Sequence, residues 1–136
     1  MRVPAVYFLF VAALLAGAGC SAVYRHTPLS REPAPSAESV KQAESEFHRG
    51  QELVLAGQYE EALTAIFPQA RVFERAEQPA RAAEALFWTG YCHEKLGRWA
   101  DAASFYRLVT AKYPDTPAAR ESAKRLKQKE KSAEAP

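Results

Sequence analysis

Laid against itself, the chain repeats at an offset of 40 residues. Ala43, Glu44, Phe47, Gly50, Gly57 and Ala62 recur as Ala83, Glu84, Phe87, Gly90, Gly97 and Ala102. Tyr59 against Trp99 and Ile66 against Tyr106 extend the match by residue type. Self-similarity at a fixed period of this size marks stacked supersecondary units, each of which needs its neighbours to bury an apolar face. The chain has 27 alanines and 6 glycines in 136 residues, a bias toward helix with little room for a sheet. That length allows one domain of roughly 100 residues with flexible ends, and excludes a two-domain enzyme with a separate cofactor module.

The spacing within each unit has a physical reading. Gly57 and Gly97 fall where a first helix should end in the left-handed conformation that penalises a Cβ. Tyr59 and Trp99 then anchor the second helix against the first. Small residues at Gly50 and Ala62, and again at Gly90 and Ala102, are expected to face each other and allow close antiparallel packing. In the second copy the pattern reads Leu86-x2-Thr89-Gly90-x2-His93, Gly97-x-Trp99, Ala102-x3-Tyr106, Pro114. It resembles the tetratricopeptide repeat. The resemblance implies an all-α fold of two helical hairpins, at about 43–76 and 83–116, closed by a capping helix at 117–131. The family's favoured Trp, Leu and Tyr of the first helix are Leu86, Thr89 and His93 here, and Glu46, Arg49 and Leu53 in the first copy. Glu74 stands where the first copy's terminal Pro belongs.

Caps and breakers place the helices. Ser39-x-x-Gln42 reads as a capping box for a helix to about Ala56. The next helix is expected over 59–76, kinked at Pro68, with Glu77-Gln78-Pro79 as the turn that absorbs the extra residues of the long period. Helices over 80–96 and 99–112 follow, and Thr116 caps the last, with Pro117 in its first turn. Ala119, Ser122, Ala123 and Leu126 make its thin apolar stripe. Arg120, Lys124, Arg125, Lys127, Lys129 and Lys131 are expected to face outward, and 132–136 reads as a disordered tail. From Arg120 to Lys131, 6 cations meet 2 acids, which suits a solvated cap or contact with an anionic polymer or lipid.

Residues 1–19 read as a signal peptide: Arg2 supplies a positive n-region, 3–18 carry no charge, and small residues precede Cys20. Sixteen apolar residues span roughly 25 Å as a helix, short of the ~30 Å hydrocarbon core. A Cys in this setting resembles the bacterial lipoprotein signal, which implies that Cys20 is lipidated and becomes the first mature residue. Gly17 stands where that pattern prefers Leu. Ser21, in place of an Asp, implies the periplasmic side of the outer membrane, with periplasm or inner membrane as alternatives. Without acylation, Cys20 is free to pair with Cys92, the only other cysteine. Residues 20–38, with Pro28, Pro33 and Pro35, then make a flexible tether.

No motif carries chemistry. Cys92-His93-Glu94 is the one reactive cluster, and consecutive helical residues point about 100° apart, so they cannot converge as a triad or a metal site. No catalytic residue, metal or cofactor is expected, and a net charge of +2 is too balanced to point to nucleic acid. The family resemblance implies a concave surface lined by first-helix residues, here Phe47, Gln51, Val54, Phe87, Tyr91 and Glu94, for an extended peptide or a partner's helix. Phe47 and Phe87 fit equally a role packed between helices. The function expected is a membrane-tethered protein–protein adaptor in assembly or maintenance of a bacterial envelope complex. A pilotin-like or structural component of a secretion or pilus system, and a binder of anionic envelope polymer or lipid through the last helix, are the alternatives. Two repeats and a cap are fewer than the three a solenoid usually needs, so an open apolar edge is also expected, to be covered by a partner, with homodimerisation through the same edge as the alternative.

Overall fold

Ser36 opens the helical part of the chain. Its hydroxyl oxygen accepts from the Ser39 amide at 3.1 Å, and the Ser39 hydroxyl donates back to the Ser36 carbonyl at 2.8 Å. The cap is therefore three residues earlier than the expected box, because Ser39 already serves as the third residue of the first turn. In the computed structural model, which describes residues 33–134, five helices follow: α1 Ala37–Leu55, α2 Tyr59–Arg75, α3 Pro79–Lys95, α4 Trp99–Lys112 and α5 Pro117–Glu134. The described residues contain no strand. The apolar run 3–18, Cys20 and most of the tether lie outside them.

The first three turns are copies of one another at a spacing of 20 residues. The amides of Gln58, Gln78 and Arg98 each donate to the carbonyl five residues back, on Leu53, Phe73 and His93, at 2.9 Å. The preceding residues, Gly57, Glu77 and Gly97, have φ of 76°, 57° and 75°. This is the Schellman closure, and the 40-residue period is two such helix-and-turn units. Glu77 takes this left-handed conformation although nothing in its residue type announces one. Pro79 is the first residue of α3 rather than part of the turn, where its missing N–H costs nothing. The helix α2 continues through the exposed Pro68 to Arg75. It runs three residues beyond the point matching the end of α4, and α3 starts four before Ala83, which lengthens the period past the usual ~34. Thr116 caps α5 as expected, accepting from the Ala119 amide at 3.2 Å. That helix continues through residues 132–134, where a tail was expected.

Close packing is set by glycine, with a different partner from the one expected. A Cβ on Gly50 would lie 2.3 Å from Ile66 Cγ1, and one on Gly90 would lie 2.9 Å from the Tyr106 ring. Each glycine thus meets residue 66 or 106, one turn beyond Ala62 or Ala102, which are themselves fully buried. Phe47 and Phe73 meet edge to face at 5.9 Å in the same core.

The outer helices α2 and α4 are joined in parallel by three rungs. Glu60 pairs with Arg98, Phe67 meets Phe105 with ring centroids 5.7 Å apart, and Glu74 pairs with Lys112. The offset is 38 at every rung and the rungs follow one another every seven residues, about two helical turns, so each returns to the same side of its helix.

Both ends of the stack are closed by polar faces. On α1 the outward residues Lys41, Gln42, Ser45, His48, Arg49 and Glu52 are exposed, so the expected open apolar edge is absent there. Leu55 is the large apolar exception at 86% exposed. At the other end α5 packs on α3 and α4. Ala119 and Ser122 are buried, and Leu126 is partly buried. Ala123 is exposed, contrary to the expected stripe. Among the described residues no helix is long and apolar enough to cross a membrane.

Candidate functional site

Of the six first-helix residues expected on a concave surface, Phe47 is fully buried and Val54 is 7% exposed, so neither is available to a partner. The reason for Phe47 is Phe73, against which it packs, and Arg81, whose guanidinium carbon sits 4.6 Å above its ring. Gln51 is half-buried and donates to Glu84 at 3.4 Å.

Arg81 holds the first-repeat side of the inner face together. It pairs with Glu44 of α1 and with Glu84 of its own helix, the latter at 2.7 Å, and lies 5.4 Å from the Phe73 ring centroid. The hydrogen bond to Glu44 is the main cause that raises its pKa further above the ordinary range. Nothing in the sequence singled it out: its counterpart at the 40-residue offset is Lys41, which is exposed.

The second-repeat side is covered by α5. Tyr106 donates to Glu94 at 2.6 Å, and Arg125 Nη1 donates to both oxygens of that carboxylate at 3.2 and 3.3 Å. Arg125 also lies over the Tyr91 ring at 4.9 Å. Burial works against the Arg125 charge, but Glu94 and its other neighbours outweigh it and raise the pKa. Burial, then the bond to Glu94, pushes the Tyr106 phenol well above the usual tyrosine range. Tyr91 and Glu94 are therefore engaged within the fold, and Arg125 faces inward rather than outward. Lys129 likewise turns back over the Trp99 ring at 5.6 Å.

What remains open is a cleft of about 410 Å³ between α3 and α5. Its apolar walls are Ala80, Phe87, Trp88, Pro117 and Ala118, with Arg81, Glu84 and Glu121 around them. Phe87 is the one expected groove residue in this wall, and even it is largely buried, packed on Trp88 and Tyr106. A second, polar depression of about 610 Å³ runs along α1 between Glu44, His48, Gln51, Glu52 and Arg81.

The reactive trio diverges. Cys92 is a buried free thiol whose pKa burial pushes up to about 11. His93 stacks on Phe105, and Glu94 holds Tyr106 and Arg125. Among the described residues no three side chains are grouped to hold a metal ion.

A hairpin with glycine at the helix contact, a glycine cap, an aromatic at the head of the second helix and a buried aromatic two turns on now stands in the second copy. Residues 84–116 match the tetratricopeptide repeat. No curated protein and no solved structure matches the chain. The matched tetratricopeptide repeat contains most of α3 and all of α4. With the all-helical architecture, the match supports a tetratricopeptide-type protein and a role in binding other proteins.

Proposed function

We propose that the protein is a membrane-tethered adaptor that holds a partner protein in the cleft between α3 and α5, in assembly or maintenance of a bacterial envelope complex. The observation that carries the docking part is the cleft itself: an apolar wall on the inner side of a tetratricopeptide repeat, rimmed by Glu84, Arg81 and Glu121. Such a surface suits an apolar side chain of an extended segment or helix, with the rim fixing its direction. Photocrosslinking in intact cells tests it. A crosslinker at Ala118 should capture a discrete protein that one at the outward Gln42 does not, and Trp88→Ala should reduce capture. Equal capture from both positions would sink the reading.

The tether rests on the apolar run and the small residues before Cys20. Labelling with a fatty-acid analogue should mark the wild-type chain and leave Cys20→Ser unmarked. An unlabelled wild type recovered free of membranes would remove the anchor and leave the docking proposal standing.

A further inference from the structure

The outward face of α5 carries Arg120, Lys124, Lys127 and Lys131, all exposed. At 100° per residue these four lie within about 40° of Arg120 on the helix, and at 1.5 Å rise they form a row roughly 16 Å long. Arg125 and Lys129, the remaining cations of the segment, are drawn to the opposite side by Glu94 and Trp99. That leaves the row free of interruption. Lys124 has Glu121 at 3.6 Å, while Arg120, Lys127 and Lys131 make no ion pair among the described residues.

We propose that this row docks the domain on an anionic phospholipid surface, with α5 lying flat against the headgroups. Four flexible point charges in line, with Ala123 and Gln128 exposed beside them, read charge density and nothing else. A plane of lipid phosphates asks for no more. Single-stranded nucleic acid favours aromatic platforms among the cations, and the row contains none. Nor does it carry a large apolar side chain that would insert into acyl chains, so binding is electrostatic and salt-sensitive.

Each cation near an anionic surface raises partitioning about fivefold, so four raise it several hundredfold. The cleft residues Pro117, Ala118 and Glu121 lie to one side of the row, centred about a quarter turn or more from it. A domain lying on lipid through α5 therefore keeps the cleft open sideways, and neither surface requires the other.

The test uses the full chain with vesicles of phosphatidylcholine, with and without phosphatidylglycerol. Lysines are acylated by a water-soluble reagent and read one by one by mass spectrometry. Lys124, Lys127 and Lys131 should react at least ~5-fold more slowly with the anionic vesicles, Lys41 on α1 should not change, and high salt should abolish the difference. Replacing all four by Gln touches no packed contact and should lower binding to anionic vesicles by at least roughly tenfold. Equal lysine reactivity in both vesicle types, equal protection at Lys41, or undiminished binding by the fourfold variant would overturn the proposal. So would stronger protection of the same lysines by duplex DNA at equal phosphate concentration.

Discussion

A methyl group added at Gly50 would press on Ile66, a fully buried β-branched side chain with no room to turn aside. Helix propensity alone favours Ala over Gly by about 1 kcal/mol, but overpacking a tight contact costs about 1–3 kcal/mol. Gly50→Ala is therefore expected to destabilise, seen as a lowered midpoint in thermal melts followed by circular dichroism. Glu77 predicts the opposite sign. It is exposed and sits at φ 57°, where Gly57 and Gly97 stand in the sister turns. Glu77→Gly should raise stability by about 0.5–1 kcal/mol, because the backbone strain relieved exceeds the worth of the exposed interaction that Glu77 makes. Cys92 adds a pH dependence. Its folded pKa of about 11 lies above that of an unburied thiol, near 9.0, so the unfolded chain loses the proton first. Stability is then full below about pH 9 and falls as pH rises toward 11, by on the order of 2–3 kcal/mol. Cys92→Ala should flatten that part of the profile in urea melts run across the alkaline range, and Tyr106, raised in the same sense, should keep a further decline at higher pH.

At the scale of the helix, what could be read from the sequence was whatever is decided locally. Gly57 and Gly97 announce their turns because few other residues take that backbone, and Thr116-Pro117 announces α5 for the same kind of reason. The parallel rungs between α2 and α4 were hidden, since Glu60 with Arg98, Phe67 with Phe105 and Glu74 with Lys112 become neighbours only when the whole hairpin between them has folded. Arg81 was hidden for the same reason. The inner face stays open at Phe47 in the sequence because a first-helix aromatic has the same spacing whether it lines a groove or fills the gap that Phe73 closes. The rungs are unequal. Arg98→Ala and Lys112→Ala break exposed pairs and should each cost under about 1 kcal/mol. Phe105 is half-buried, stacks on His93 and lies beside Gly90. Phe105→Ala should cost about 2–4 kcal/mol, measured as a shift in the urea midpoint at constant slope.

For the molecule as a whole, α5 decides whether two repeats suffice. It covers Tyr91 and Glu94 through Arg125, buries Ala119 and Ser122, brings Leu126 against the cluster of Phe87, Ala102 and Tyr106, and turns a polar row to solvent. A solenoid end without such a face leaves its last core layer in water. Ending the chain after Tyr113 would expose that layer and strand the Glu94 carboxylate with Tyr106 as its remaining partner. The compact unit spans Pro33–Pro136, so the comparison can be made within it. Arg125→Ala should lower its stability by about 1–3 kcal/mol through the lost charge-assisted bonds, whereas removal of all of α5 should abolish the cooperative melt or make it depend on protein concentration as exposed layers associate. The intact unit, polar at both ends, should melt at a midpoint independent of concentration. If the shortened unit instead melts as the intact one does, α5 is an appendage rather than a cap, and its cationic row is not held at a fixed angle to the cleft beside it.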